Sequence, residues 1–151
     1  MGIYKRYEEV PDRYRLANFG AEYDGRDVYA EFMAAEVLAD SSSDRYKQDY
    51  RRYGRRWREH MADRGQHHAL AHPTDVETWC EDLLNEYTVR TAFKHWTAIE
   101  RVYTWLLTHT EHPHVYQPVW QAAARESATG ELWDKKMARR SSASGTGGDS
   151  R

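Results

Sequence analysis

The fold is decided by the stretch SSSDRYKQDYRRYGRRWREHMADR, residues 41–64. Apolar side chains recur in it at steps of four, three, four and four residues, at Tyr46, Tyr50, Tyr53, Trp57 and Met61. This is the 3.6-residue period of a helix with one buried stripe. A second, cationic stripe runs between them at steps of four, four and three; it consists of Lys47, Arg51, Arg55 and Arg58, and Arg52 and Arg56 widen it. The stretch therefore predicts one long helix with one face toward a core and another toward anions.

The composition indicates one compact domain. A chain of 151 residues has the size of a single ordinary domain. Apolar residues make up 40% of it, and it contains 6 Trp and 11 Tyr. Such a sequence is too aromatic for an intrinsically disordered chain, so we expect an aromatic-rich core.

The charge is segregated along the chain although the net charge is only -2. Residues 44–64 carry eight basic and four acidic side chains, whereas residues 65–87 carry five acidic side chains and no Lys or Arg. Residues 88–109 are basic again, with three basic side chains and one acidic. If the two basic segments meet on one side, the surface is polarised, as nucleic-acid binding requires.

Several classes of protein are not expected. The lone Cys80 excludes an intrachain disulfide and follows Trp79 in an apolar helical pattern, which favours a buried thiol. No apolar run is long enough for a transmembrane helix, and the N-terminus lacks the apolar stretch of a signal peptide. We therefore expect a cytoplasmic protein without membrane contact and without a cofactor.

Four main helices are predicted. The first covers residues 27–39, with Asp27 at its N-terminus and an apolar stripe that includes Ala35 and Leu38. The serines at 41–43 cap the second helix, and Gly65 ends it. Thr74 and Glu77 form a capping box that opens a third helix to about residue 86.

The fourth helix repeats the design of the second. Thr88 is its predicted N-cap, and it runs to about residue 108. Its apolar stripe is Val89, Ala92, Phe93, Trp96, Ile99, Val102, Tyr103 and Leu106. Its cationic stripe is Arg90, Lys94 and Arg101, together with Thr97.

The rest of the chain predicts short elements. Apolar residues in 1–26 follow no sustained helical or strand periodicity, so we predict a lead-in segment there. Residues 119–125 are predicted to form a short helix. Residues 126–140 form a linker or a last short helix over 131–140, and residues 141–151 have the composition of a disordered tail. No strand is predicted. The fold class is all-α, a small orthogonal bundle of four main helices with one or two short C-terminal ones.

Four stretches carry a resemblance to a known family. They are SSSDRYKQDYRRYGRRW, TDVETWCEDLL, TVRTAFKHWTAIERVYTWL and YQPV, and the third holds both Thr88-x-x-Thr91 and an aromatic-Trp-Leu end. In this order they resemble the N-terminal core-binding (SAM-like) domain of tyrosine recombinases, the phage integrases, over residues 27–125. Gln117-Pro118 departs from the usual Asn-Pro, and the second helix differs in length.

The resemblance implies DNA binding without catalysis. The family's catalytic domain carries a His-x-x-Arg box and a nucleophilic Tyr, and none of the eight histidines here begins such a box. No catalytic residue is therefore predicted, and we expect no enzyme. The chain would act in DNA integration or recombination, as an accessory factor or a truncated recombinase with a separate recombinase as partner.

The resemblance places the second and fourth helices against the major groove of duplex DNA. The predicted DNA-binding residues are Lys47, Arg51, Arg52, Arg55, Arg58, Arg90, Lys94 and Arg101. Six or seven phosphate contacts would give a log–log salt dependence with a slope on the order of -6. The alternative is a solvated face with pairs such as Arg55–Glu59. The basic run Lys135, Lys136, Arg139 and Arg140 either contacts DNA or complements a helix dipole.

Two further alternatives stay open. Histidines cluster in two loops, at His67, His68 and His72 and at His109, His112 and His114, but without a cysteine pair we predict no metal site. The whole chain could instead be a helical protein–protein interaction domain, whose aromatic-rich surface binds a protein and whose charges serve solubility.

Overall fold

Helices make up all the regular secondary structure of residues 4–38 and 43–145, which are the residues that the computed structural model describes, with side chains up to residue 140. The α-helices are α1 (Gly20–Tyr23), α2 (Val28–Phe32), α3 (Asp44–Asp63), α4 (Pro73–Glu86), α5 (Val89–Thr108), α6 (Pro118–Arg125) and α7 (Ser127–Gly145). Short 3-10 turns precede α1 at Tyr7–Glu9, Asp12–Tyr14 and Leu16–Phe19, and a π-helical turn, Met33–Val37, continues α2. The all-α prediction is confirmed.

Helix α3 begins and ends where its sequence predicts. The hydroxyl of Ser43 accepts a hydrogen bond from the Tyr46 amide (3.1 Å) as the N-cap; the other predicted capping serines, 41 and 42, lie outside the described residues. At the C-terminus Gly65 has φ of 73°, and its amide bonds the Ala62 carbonyl while the Gln66 amide bonds that of Met61. This pair of bonds is the Schellman motif, which requires the left-handed conformation that glycine adopts most easily.

Helix α4 starts earlier than predicted. Pro73 occupies its first turn, and His72 is the N-cap, with its Nδ1 accepting from the Thr74 amide (3.0 Å). The Asp75 carboxylate accepts from the His72 amide (2.9 Å), which completes a capping box. The predicted box of Thr74 and Glu77 is wrong because proline at the first helical position places the N-cap at His72, two residues before Thr74.

Helix α5 is the centre of the bundle. Thr88 caps it as predicted (Thr88 Oγ1 to Thr91 N, 3.3 Å), and it packs against α2, α3, α4, α6 and α7. Its predicted apolar stripe is buried except for Val89, which is 38% exposed. Burial extends beyond that stripe to the polar side chains of His95 and Glu100. The middle of α5 therefore has far less contact with solvent than α3.

Helix α2 is fastened to α3 through a glycine contact. The Asp27 carboxylate caps α2 as predicted, by accepting from the Ala30 amide (3.1 Å). The ring of Tyr29 lies on Gly54 of α3, where an added Cβ would meet Cε2 of that ring at 2.0 Å. The Tyr29 hydroxyl donates to the Tyr50 carbonyl (2.5 Å). Gly54 is thus required by a close approach between helices.

The predicted first helix differs from the observed one in its second half. A π-helical turn shifts the register of the side chains, because it adds residues to each turn. Ala35 and Leu38, predicted to be buried, are exposed, whereas Met33 and Val37 are buried.

The C-terminal helices close the bundle over α4. Helix α6 begins at Pro118, and Gln117 caps it by accepting from the Val119 amide (3.1 Å). The buried carboxylate of Glu77 accepts from the amides of Ala128 and Thr129 at the start of α7 (3.0 and 2.8 Å). Helix α7 spans Ser127–Gly145, so it enters the segment expected to be a disordered tail, whose residues 146–151 lie outside the described part.

None of the helices in the described ranges has both the length and the apolar character needed to cross a bilayer.

Candidate nucleic-acid interface

The outer side of α3 carries a basic ridge, formed by Arg51, Arg52 and Arg55. All three side chains are exposed, opposite the buried stripe of Tyr50, Tyr53 and Trp57. With 20 residues, α3 is roughly 30 Å long, so the ridge lies in the middle of an extended surface.

Two cations of the ridge are not engaged by any residue that the structure describes. Within residues 4–38 and 43–140, Arg51 and Arg55 have no hydrogen-bond or ion-pair partner, and neither does the half-buried Lys47 beside them. Arg52 differs, since its Nη1 donates to Asp49 at 3.0 Å. The alternative pair Arg55–Glu59 is not among the ion pairs that the described residues form. Arg51 and Arg55 are therefore available to an external anion.

Arg58, by contrast, is used to hold α2. Its Nη1 donates to both carboxylate oxygens of Asp27 (3.1 and 2.9 Å), and its Nε donates to the Gly54 carbonyl (3.1 Å). The guanidinium also lies 5.4 Å from the centre of the Tyr29 ring. Binding a phosphate would compete with these contacts, so the structure gives Arg58 an internal role that the cationic stripe did not predict.

Arg101 is half-buried and engaged by side chains of α2 and α3. Its Nη1 donates to the hydroxyls of Tyr46 (2.8 Å) and Tyr50 (3.1 Å), and its guanidinium lies over the rings of Tyr50 and Phe32 at 5.3 and 5.7 Å. The cationic stripe of α5 is thus not continuous at the surface. Only Arg90 and Lys94, in the first turns of α5, are exposed.

Lys94 stands at the edge of a groove between α3, α5 and α7. We call it the tyrosine groove; it has a volume of about 280 Å³, and its lining is Tyr46, Asp49, Tyr50, Tyr53, Phe93, Lys94, Thr97 and Arg139. Its one carboxylate, Asp49, is paired with Arg52 at 3.0 Å and with Arg45 at 3.6 Å. Of the basic ridge, Arg52 borders the groove, because it pairs with Asp49 and lies 5.3 Å from the centre of the Tyr53 ring.

The basic run of α7 divides between surface and interior. Lys135 and Arg139 lie over the Phe93 ring, at 5.7 and 5.3 Å from its centre. Lys136 instead pairs with the buried Glu100 at 2.6 Å. The sequence marks this run as basic but gives no sign of its contact with α5, because the two segments meet only through the packing of α7.

The histidine loops serve packing. His112 Nδ1 shares a 2.5 Å hydrogen bond with the Tyr23 hydroxyl, and His114 Nε2 bonds the Ala69 carbonyl at 2.6 Å. The His68 Nε2 accepts from the Tyr29 amide (3.1 Å), and burial lowers the pKa of His68 to about 3. Across residues 4–38 and 43–140, no three His, Cys, Asp or Glu side chains are grouped in a way that could hold a metal ion.

Cys80 is buried against α7, as its sequence context predicts. Burial raises the pKa of the thiol to about 12. The thiol is therefore protonated at neutral pH and is a poor nucleophile.

Comparison of the chain with protein-family models, curated proteins and solved structures finds no match in any of the three.

Proposed function

We propose that this chain is a duplex DNA-binding module that contacts the DNA backbone through α3 and the first turns of α5. The proposal rests on one observation: Arg51 and Arg55 are exposed and have no internal partner among the described residues. Unpaired cations on one face are what phosphate binding requires.

The contact set is smaller than the sequence predicts. Arg58 and Arg101 are committed to Asp27 and to the tyrosine hydroxyls, so they are not counted as phosphate ligands. The remaining cations are Lys47, Arg51, Arg52, Arg55, Arg90 and Lys94. Up to six phosphate contacts would give a log–log salt dependence with a slope on the order of -5 rather than -6.

A role in DNA integration or recombination is the most specific form of this proposal. It is supported by the resemblance of residues 27–125 to the integrase core-binding domain, and by the absence of a His-x-x-Arg box from the sequence. In this form the chain holds DNA in the cytoplasm, and a separate recombinase cuts it.

A protein–protein interaction domain is the alternative, and the burial pattern offers it less support. It requires an aromatic-rich surface, yet the aromatic side chains lie mostly in the core. Of the large hydrophobic side chains that the structure describes, Leu38 (40%) and Val89 (38%) are the exposed ones.

A titration separates the two functions. A labelled 20-base-pair duplex is titrated with the protein at 50 and 200 mM salt, and its anisotropy is followed. The DNA-binding function predicts that affinity falls by about a thousandfold between these conditions, because bound counterions are released. Absence of binding at 50 mM salt, or binding that does not change with salt, would contradict it.

A further inference from the structure

The floor of the tyrosine groove is aromatic and also offers hydrogen bonds. Tyr46, Tyr50 and Tyr53 follow one another along α3, with ring centres 4.8 and 5.5 Å apart. Tyr50 and Tyr53 are 7% and 5% exposed, so they form the bottom of the groove, and the half-buried Tyr46 forms its side. The Tyr46 and Tyr50 rings are tilted by 42°, and the Tyr50 and Tyr53 rings meet edge to face at 67°, so together they form an aromatic surface against which another flat ring can pack.

The polar atoms of the floor are arranged to donate. Arg101 donates to both the Tyr46 and the Tyr50 hydroxyl, so these oxygens act as acceptors toward it. Burial raises the pKa of Tyr50 to about 12, so its phenol is protonated at neutral pH. Even when one of these two hydroxyls donates its proton to the other, one phenolic proton of the pair is left for another acceptor. The buried hydroxyl of Thr97, on the groove wall, has no hydrogen-bond partner among the described residues.

The rim of the groove is cationic. Lys94 and Arg139 line it, and Lys135 lies with Arg139 over Phe93. The one carboxylate of the lining, Asp49, is held by Arg52 and Arg45. An anionic group at the mouth would therefore meet a positive potential while a ring occupies the floor.

We propose that the tyrosine groove binds one nucleotide unit, with the base stacked on the tyrosines of α3 and the phosphate held by Lys94 and Arg139. The volume of about 280 Å³ is at the lower limit of small-molecule pockets, so one base with its phosphate fits better than a longer segment. An aromatic floor with a cationic rim is the arrangement that binds single unpaired bases without reading their sequence.

The nucleotide could come from two sources. It could be a free nucleoside monophosphate, or it could be an unpaired nucleotide at the end of a duplex held on the basic ridge. The second source rests on the proposed function, whereas the first does not. Arg52 of the basic ridge lies 5.3 Å from the centre of the Tyr53 ring on the groove floor, which suits the second source.

The experiment compares two DNA probes. A blunt 20-base-pair duplex and the same duplex with a three-nucleotide 3′ overhang are titrated at 100 mM salt, and the ratio of their dissociation constants is measured. Free dAMP is titrated separately by isothermal calorimetry. We expect the overhang duplex to bind roughly tenfold more tightly, as the stacking of one base gives.

Matched variants test whether a preference for the overhang duplex arises from the groove. Lys94→Ala with Arg139→Ala removes two exposed cations of the rim. Lys5→Ala with Arg13→Ala removes two exposed cations of the lead-in segment. Both double variants lose the same charge. Because the ratio compares two duplexes bound by the same variant, a general loss of duplex affinity cancels in it. We expect the ratio to fall to about one in the rim variant and to stay near ten in the control.

The possible results separate this proposal from the proposed function. Duplex binding with a ratio of one and no dAMP binding overturns the groove site and leaves the duplex function standing. Binding of dAMP without duplex binding, lost in the rim variant, supports the groove with a free nucleotide and overturns the duplex function. An overhang preference that survives in the rim variant overturns the groove site.

Discussion

Helices α3 and α5 have the same sequence design but use their cations differently. Each has an aromatic stripe and a cationic stripe at helical spacing. In α3, Arg51 and Arg55 face solvent, whereas in α5 Arg101 is bonded to two tyrosines of α3. The difference follows from position, because α5 is surrounded by five other helices and α3 lies at the edge of the bundle. A cation of such a stripe is therefore available to an external anion only where no neighbouring element engages it.

The largest expected effect concerns the inner side of α3. Replacing Gly54 with Ala places a Cβ 2.0 Å from the Tyr29 ring, so α2 or α3 must shift. We expect a loss of about 3 kcal/mol in the free energy of unfolding, which outweighs the roughly 1 kcal/mol that Ala gains over Gly in a helix. Urea denaturation measures this loss. Gly20→Ala is the control, since no atom of the described residues lies within 4 Å of a Cβ added there; equal stability of the two variants would refute the close contact.

The next effect tests the two arginines of the comparison directly. Arg101→Ala removes two hydrogen bonds to tyrosine hydroxyls and the contacts with the Phe32 and Tyr50 rings. We expect the free energy of unfolding to fall by about 2 kcal/mol. Arg51→Ala should change it by less than about 0.5 kcal/mol. If both variants had the same stability, the internal role of Arg101 would be wrong.

A histidine of α5 extends the comparison to pH. His95 is 1% exposed and is stacked against Tyr87, and burial, with Arg52 and Arg56 nearby, lowers its pKa to about 4. The unfolded chain, with a pKa near 6.5, binds the proton first. Stability is therefore complete above pH 6.5 and falls toward pH 4.

His95→Phe keeps an aromatic ring at this position and removes its titration. Between pH 7.5 and 5.5 we expect the wild-type protein to lose about 1 kcal/mol more stability than the variant. Urea midpoints at the two pH values measure this difference. The same pH dependence in both proteins would show that His95 is not buried in its neutral form.

The smallest effect on stability distinguishes two cations of α3 itself. Arg58 is paired with Asp27 at 2.9 Å, whereas Arg55, three residues earlier, has no partner among the described residues. Because this pair is partly exposed, Arg58→Ala should cost only about 0.5 to 1 kcal/mol, and Arg55→Ala should cost nothing measurable. Urea denaturation of both variants measures the two changes in the free energy of unfolding. A larger loss in Arg55→Ala would place an unrecognised contact at Arg55.

The features that the sequence predicts correctly are local ones. The caps Asp27, Ser43 and Thr88 and the glycine at 65 act within a few residues of their own position, so their residue types suffice. Likewise, the apolar period of α5 is enough to predict its buried side. These features establish the all-α class and the positions of three main helices, α2, α3 and α5.

The features that it does not predict depend on distant partners. Arg58 pairs with a residue 31 positions away, and Arg101 bonds tyrosines 51 and 55 positions away. The contact of Tyr29 with Gly54 and the approach of α7 to Phe93 also arise from packing. The start of α4 is a local failure, because Thr74 and Glu77 match the pattern of a capping box although Pro73 is already the first residue of the helix. A glycine in the middle of an otherwise regular helix was the available signal for the Tyr29 contact.

The measurement that most directly tests the account is the salt dependence of duplex binding by two charge-reversal variants. Arg51→Glu with Arg55→Glu changes the basic ridge, and Lys5→Glu with Arg13→Glu makes the same change in charge on the lead-in segment. We predict that the ridge variant loses at least a hundredfold in duplex affinity. The magnitude of its log–log salt slope should fall by about two, and its helical circular dichroism should be unchanged. The control variant should keep a slope on the order of -5. Equal losses in both variants would contradict a binding surface on α3.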